Sequence, residues 1–189
     1  MQLITITTDL GYRDPYLAMV KGLLYSKQPD CKIVDLACDV NRHAHTEGAF
    51  ALKSALPYFT ENTIHLFAVK NVSSMSTRAD IGLDNKRYLI TKYNNQFIVS
   101  PDNGLFTLID KHFDEPVYQI YFEHEHQHAF YLRDVFVDVA LKLLANKQLE
   151  EFSLLTKDYC RSIHFESYTT PSNLQGKVIY EDDFGNLIT

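Results

Sequence analysis

Apolar and polar positions alternate in short blocks from the start of the chain. Leu3 to Ile6 is a strand-like apolar run. It feeds a polar turn holding Asp9, Gly11 and Asp14, and Pro15 then suits the first turn of a helix. Lys32 to Leu36 is a second short β-rich segment. The spacing of Ala49, Phe50, Leu52, Leu56 and Phe59 predicts a helix from about Thr46 to Tyr58. Thr63 to Val69 reads as a strand, and Arg87 to Thr91 with Gln96 to Val99 reads as a hairpin across Tyr93-Asn94-Asn95. A short helix at Leu105 to Lys111, a strand at Val117 to Phe122 and an amphipathic helix at Asp134 to Leu144 follow. This alternation predicts an α/β fold, a mainly parallel sheet covered by helices.

The tail has a different pattern. From about Cys160 it reads as strands and turns without a helix. Pro171-Ser172-Asn173 forms a turn, and a strand from Leu174 to Tyr180 runs into EDDFGNLIT, where the sequence stops. The expected organisation is an N-terminal α/β domain over residues 1–160. Residues 161–189 are then a linker and the start of an incomplete, smaller C-terminal β domain.

Composition narrows the function classes. The 189 residues carry a net charge of -6, which argues against a nucleic-acid-binding surface. No apolar run approaches the ~20 residues that span a bilayer, and the N-terminus lacks the charged head and apolar core of a secretion signal. The expectation is a cytoplasmic protein with no membrane partner. Cys31, Cys38 and Cys160 have no CxxC spacing and read as reduced, partly buried thiols.

The candidate chemistry begins at Asp9. In a parallel sheet, ligands bind at the carboxyl ends of the strands. A carboxylate there can accept both hydroxyl hydrogens of a sugar diol. The competing reading makes Asp9 and Asp14 helix caps. His124, His126 and His128 form an HxHxH run, which on a strand would put three imidazoles on one face and suit zinc; an exposed polar loop is the other reading. His43 and His45 read as polar residues leading into the Thr46 helix, with no chemistry assigned.

Six segments in order carry a family resemblance: TTDLGYRDPYLAMVKG, IVDLACDV with EGAFAL, YFTENTIHLFAV, SPDNGLFTL, FYLRDVF and EDDFGNLIT. Together the chain resembles the S-adenosylmethionine hydrolases, the hydroxide adenosyltransferase group that also contains fluorinase and chlorinase enzymes. The resemblance implies an N-terminal α/β domain with a smaller C-terminal β domain. It also implies active sites shared between neighbouring subunits, usually in homotrimers. The implied reaction is displacement at the ribose 5′ carbon of S-adenosylmethionine. Water gives adenosine, a halide gives the halo-deoxyadenosine, and methionine leaves. S-adenosylmethionine is then a substrate, and no separate cofactor or metal is implied. By the same resemblance Asp9 holds the ribose hydroxyls, and Asp14 and Tyr16 match the neighbouring DxY segment. Asp102 and Asn103 lie near the nucleoside pocket, Asp182 at the methionine end and Asn186 at adenine. Turn chemistry is the competing reading of PDNG and DFGN.

The chain departs from the family where water is activated. The hydrolases use an Asp–Arg–His set. Here the aspartate position falls on Lys70 or, with one inserted residue, on Asn71. Arg78 matches the arginine, and the histidine falls on Tyr131. A neutral phenol is a poor base at pH 7. Halogenases also carry tyrosine at the Tyr131 position and hydroxyl residues in the loop, comparable with Ser73. The serine that helps hold fluoride falls on Leu132, which has no hydrogen to donate. Lys70, Ser73, Arg78 and Tyr131 are therefore the expected catalytic surroundings, with hydrolysis to adenosine as the expected reaction. The alternatives are a catalytically weakened S-adenosylmethionine or adenosine binder and an adenosyl halide synthase.

Overall fold

A computed structural model describes residues 3–69, 87–121, 130–162 and 168–188. Its centre is a seven-stranded sheet in the order β2-β1-β3-β5-β4-β6-β7. The strands are β1 (Leu3–Thr8), β2 (Lys32–Ala37), β3 (Ile64–Ala68), β4 (Tyr88–Tyr93), β5 (Gln96–Pro101), β6 (Val117–Ile120) and β7 (Ser153–Thr156). β2, β1, β3 and β5 pair in parallel, while β4 and β7 run against their neighbours. The expected mainly parallel sheet is present, with a mixed edge on the β4–β7 side.

Helices cover both faces. On one side α1 (Tyr16–Lys27) packs beside α4 (Val137–Leu144), and their apolar residues meet Ile4, Ile6, Leu66 and Val99 of the sheet. On the other, α2 (His45–Ala55) packs beside α3 (Leu105–Ile109), over Phe67, Val69, Leu89 and Ile98. Every residue of β3 is buried because a parallel strand covered on both faces has no solvent side. Burying Phe67 alone stabilises the fold by roughly 1.5–3 kcal/mol. α2 lies close to this strand: a Cβ on Gly48 would stand 3.0 Å from the Phe67 ring.

The hairpin falls where it is expected. Asn94 and Asn95 adopt φ of 49° and 60°, the left-handed pair that a two-residue turn between twisted strands requires. Two boundaries differ from the sequence reading. Helical structure ahead of α4 begins before Asp134, as a π-helical turn over Leu132–Phe136. The reason is that the Asp134 carboxylate reaches back to accept the Phe130 N–H at 3.2 Å, so it closes the first turn rather than starting it. The strand expected from Leu174 to Tyr180 is split. β8 (Tyr168–Thr169) pairs with β9 (Leu174–Gln175) around the Pro171 turn, and β10 (Tyr180–Glu181) pairs separately with β11 (Leu187–Ile188). Among the described residues no helix is long and apolar enough to cross a membrane. The cysteines form no disulfide, and burial pushes the Cys38 thiol up to about 12.

A buried polar chain crosses the sheet. Thr5 Oγ1 lies 2.7 Å from His65 Nδ1, and Nε2 lies 2.8 Å from Gln96 Oε1. The Gln96 amide then donates to the carbonyls of Leu56 and Phe59. Burial lowers the pKa of His65 to about 4. Between pH 6.5 and about 4 the unfolded chain therefore takes up a proton that folded His65 refuses. Stability present above pH 6.5 is lost as pH falls toward 4, by roughly 3 kcal/mol for this group. Urea denaturation at pH 7.5 and 4.5 should show that loss in the parent protein, and a smaller pH dependence in His65→Gln.

Candidate active site

The strand order reverses at β1. The chain passes from β1 to β2 on one side and returns to β3 on the other, so the carboxyl ends of β1 and β3 flank a topological switch point. Crevices at such points are the usual ligand sites of open α/β sheets. Asp9 follows the last residue of β1, half-buried at that point. Two backbone bonds tie the surrounding loops together, Gly11 N–H to the Cys38 carbonyl at 2.8 Å and Val40 N–H to the Thr8 carbonyl at 3.3 Å. Gly11 takes φ +70°, a left-handed conformation that glycine adopts without strain.

The Asp9 carboxylate is oriented. Its Oδ2 accepts the His43 backbone N–H at 3.0 Å. His43 sits at φ 64° in the loop after β2. That loop is pinned by Glu47 of α2, whose oxygens accept the Asn41 N–H at 3.3 Å and the Asn41 side-chain amide at 2.9 Å. Asp9 therefore does not cap α1, whose N-terminus makes no side-chain capping bond. His43, given no chemistry by the sequence, contributes through its main chain, which no side-chain pattern reveals.

Tyr131 forms the aromatic wall beside Asp9. Its ring stacks on Tyr88 with centroids 5.4 Å apart and meets Phe136 edge-on at 5.2 Å. Burial, and after it the Asp9 carboxylate and Tyr88, drive the Tyr131 hydroxyl far above the ordinary phenol range. It is a neutral hydroxyl at any physiological pH and has no base to offer. The next residue, Leu132, is buried in the core on the α1 side. Tyr16 packs edge-on against Phe130 at 5.6 Å and, like Asp14, is exposed. Lys70, Asn71, Ser73, Arg78 and the His124, His126 and His128 run lie outside the described residues. Among the described residues no cluster of His, Cys, Asp or Glu is arranged to hold a metal.

Asp102 and Asn103, at the end of β5, sit nearby in the sheet but are engaged in holding other chain segments. Asn103 donates to the Val69 carbonyl at 2.9 Å, which fixes the end of β3. Asp102 accepts the Cys160 N–H at 2.7 Å and pairs with Arg87 at 3.5 Å. Burial pushes its carboxyl above the usual range, opposed by the Cys160 N–H and Arg87. Asp182 and Asn186 close their own turn. The Asp182 carboxylate accepts the N–H groups of Phe184 and Asn186 and the Asn186 side-chain amide, at 2.8 to 3.0 Å. These bonds hold its pKa below the usual range. The hairpin carrying them rests on α2 through Tyr180 and Phe50, with ring centroids 6.1 Å apart. A separate cavity of about 520 Å³, lined by Asn62, Lys92, Phe97 and Asn146, lies at the opposite, amino end of the parallel strands.

Similarity to known proteins fits this geometry. The profile of the SAM hydroxide adenosyltransferase N-terminal domain matches residues 4–153. A Methanocaldococcus jannaschii protein named (R)-S-adenosyl-L-methionine hydrolase is 27% identical over 195 residues, covering 100% of this chain and 66% of the relative. A Thermus thermophilus protein of the same name is 34% identical over 108 residues, covering 57% of this chain and 38% of that one. The chain thus spans less than two thirds of the length of these relatives. A crystal structure of an uncharacterized conserved protein from Thermotoga maritima superposes with a TM-score of 0.79 at 22% identity, over 99% of this chain and 70% of that one. That of a conserved hypothetical protein from Thermus thermophilus gives 0.69 at 27% identity, over 100% and 72%.

The clasp at the end of β5 yields a test. Gly104 has φ +87°, and a Cβ there would stand 2.2 Å from Ser162 Oγ and 2.9 Å from the Ser162 nitrogen. Gly104→Ala should cost about 2 kcal/mol or more and lower the thermal midpoint by roughly 4–8 °C, as read by calorimetry. Adding Ser162→Gly should recover part of the loss by removing the nearest atom.

Proposed function

The chain belongs to the SAM hydroxide adenosyltransferase N-terminal domain family, and from that premise we propose that it binds S-adenosylmethionine and transfers its adenosyl group to water. The observation that carries the reading is the oriented Asp9 carboxylate at the switch point beside a neutral aromatic wall. Asp9 Oδ1 accepts no hydrogen bond among the described residues, so it is the acceptor for the ribose hydroxyls. In this reading Asp14 and Tyr16 border the sugar, and Asp102 and Asn103 shape the floor. Asp182 meets the methionine amine and Asn186 the adenine. Residues 1–160 form the α/β domain, and residues 161–189 belong to a second, smaller β unit. The proposed assembly is a homotrimer in the cytoplasm, its sites completed by a neighbour.

The chemistry asks little of the protein. The water oxygen bonds to C5′ as the C5′–S bond breaks. The sulfur keeps the electron pair as the methionine thioether, and the water loses a proton to solvent. The leaving group is already a cation, so no acid protonates it and no separate cofactor is called for. Alignment and partial desolvation of the nucleophile carry most of the rate. Lys70, Ser73 and Arg78 are the proposed surroundings of that water. A halide is the weaker choice of nucleophile, because Leu132 is buried and has no hydrogen to donate. Incubating the protein with S-adenosylmethionine, with and without chloride, and identifying the nucleoside by mass tests the reading. Adenosine in both is expected.

One observation favours a second reading, a ligand-binding protein with weakened catalysis. Tyr131 is partly buried and neutral at the position where the resemblance places the hydrolases' histidine. General-base help is worth ~10²–10⁴ in rate. Lys70→Asp combined with Tyr131→His should therefore raise adenosine formation, and each change alone should do less because such groups act together. A fast parent abolished by the double change would mean that Lys70 and Tyr131 serve a different working mechanism.

A further inference from the structure

We infer that Glu47, in the first turn of α2, is a positioning residue for the ribose site, acting through Asn41 and the His43 main chain on Asp9. The inference rests on the proposed role of Asp9. In a capping box the glutamate at the third helical position turns back to the N-cap N–H, but the N–H of the N-cap Ala44 is held by the Asn41 carbonyl. Glu47 instead reaches past Ala44 and binds Asn41 twice, through its backbone N–H and its side-chain amide, one carboxylate oxygen to each. Asn41 in turn accepts the Ala44 N–H at 2.9 Å, which closes a turn around Arg42 and His43. His43 lies inside that turn at φ 64°, a conformation few non-glycine residues adopt. There its N–H meets Asp9 Oδ2 at 3.0 Å. The relay fixes one oxygen of Asp9 and leaves the other for a ligand. None of its members but Asp9 would touch the sugar.

The test uses calorimetric binding of adenosine and of 2′,3′-dideoxyadenosine, which lacks the diol, to the full chain. The parent should prefer adenosine, and Asp9→Ala should abolish the preference. Glu47→Ala should weaken adenosine by about tenfold while leaving dideoxyadenosine unchanged, since only the diol uses the carboxylate that the relay orients. Glu47→Gln, which keeps an acceptor for Asn41, should recover most of that loss. In an Asp9→Ala background, Glu47→Ala should change nothing. Equal weakening of both nucleosides by Glu47→Ala, or no effect on adenosine, would overturn the relay while the Asp9→Ala result still upheld the ribose site. A parent without preference for the diol would overturn both. Should Glu47→Ala melt early, the same comparison in Asn41→Ala, which removes the side-chain amide Glu47 holds and should weaken adenosine alone, decides the question.

Discussion

β1 is hydrogen-bonded on both sides by parallel neighbours, β2 and β3, and most of the molecule follows from that pairing. Parallel neighbours cannot be joined by tight turns, so a helix must cross between them on one face or the other. α1 crosses on one face and α2 on the other, which buries both sides of the strand. This burial explains a strand rich in threonine whose residues from Ile4 to Thr8 are all buried. The hydroxyls find partners inside: Thr5 meets His65, and Thr8 donates to the Ala68 carbonyl. The same pairing delivers Asp9 to the point where the strand order reverses, and the loop after β2 meets it through the His43 N–H.

Much of this was legible in the sequence. Block alternation gave the layers, Asn94-Asn95 gave the hairpin, and Asp9 stood out as a carboxylate at a strand's end. The less visible parts are contacts between distant segments. β7 offers only four residues, Ser153–Thr156, too few for periodicity to register. PDNG reads as a turn, yet Asp102 holds the Cys160 N–H, 58 positions away. Its partner is a backbone group, which leaves no trace in composition. The His43 contact is hidden for the same reason. The split of the predicted Leu174–Tyr180 strand reflects two local hairpins, each pairing within itself rather than extending one ladder.

In the proposed function, holding the ligand and activating water fall to different groups. Asp9 is oriented by main-chain contact at the carboxyl end of β1. Tyr131, by contrast, is locked among Tyr88 and Phe136 and kept protonated by burial. For a sulfonium substrate that division is chemically workable, because departure of the thioether needs no proton. In the proposed reaction the rate depends on how well water is aligned opposite sulfur, and Tyr131 would add shape rather than a base.

In the proposed function the nucleoside sits at the ends of β1 and β3, with its diol on Asp9. A crystal structure of the protein soaked with adenosine should show both ribose hydroxyls within hydrogen-bonding distance of the Asp9 carboxylate, with the His43 N–H still on the same carboxylate. Adenosine lodged instead in the cavity beside Asn62 and Lys92, at the other end of the sheet, would contradict it.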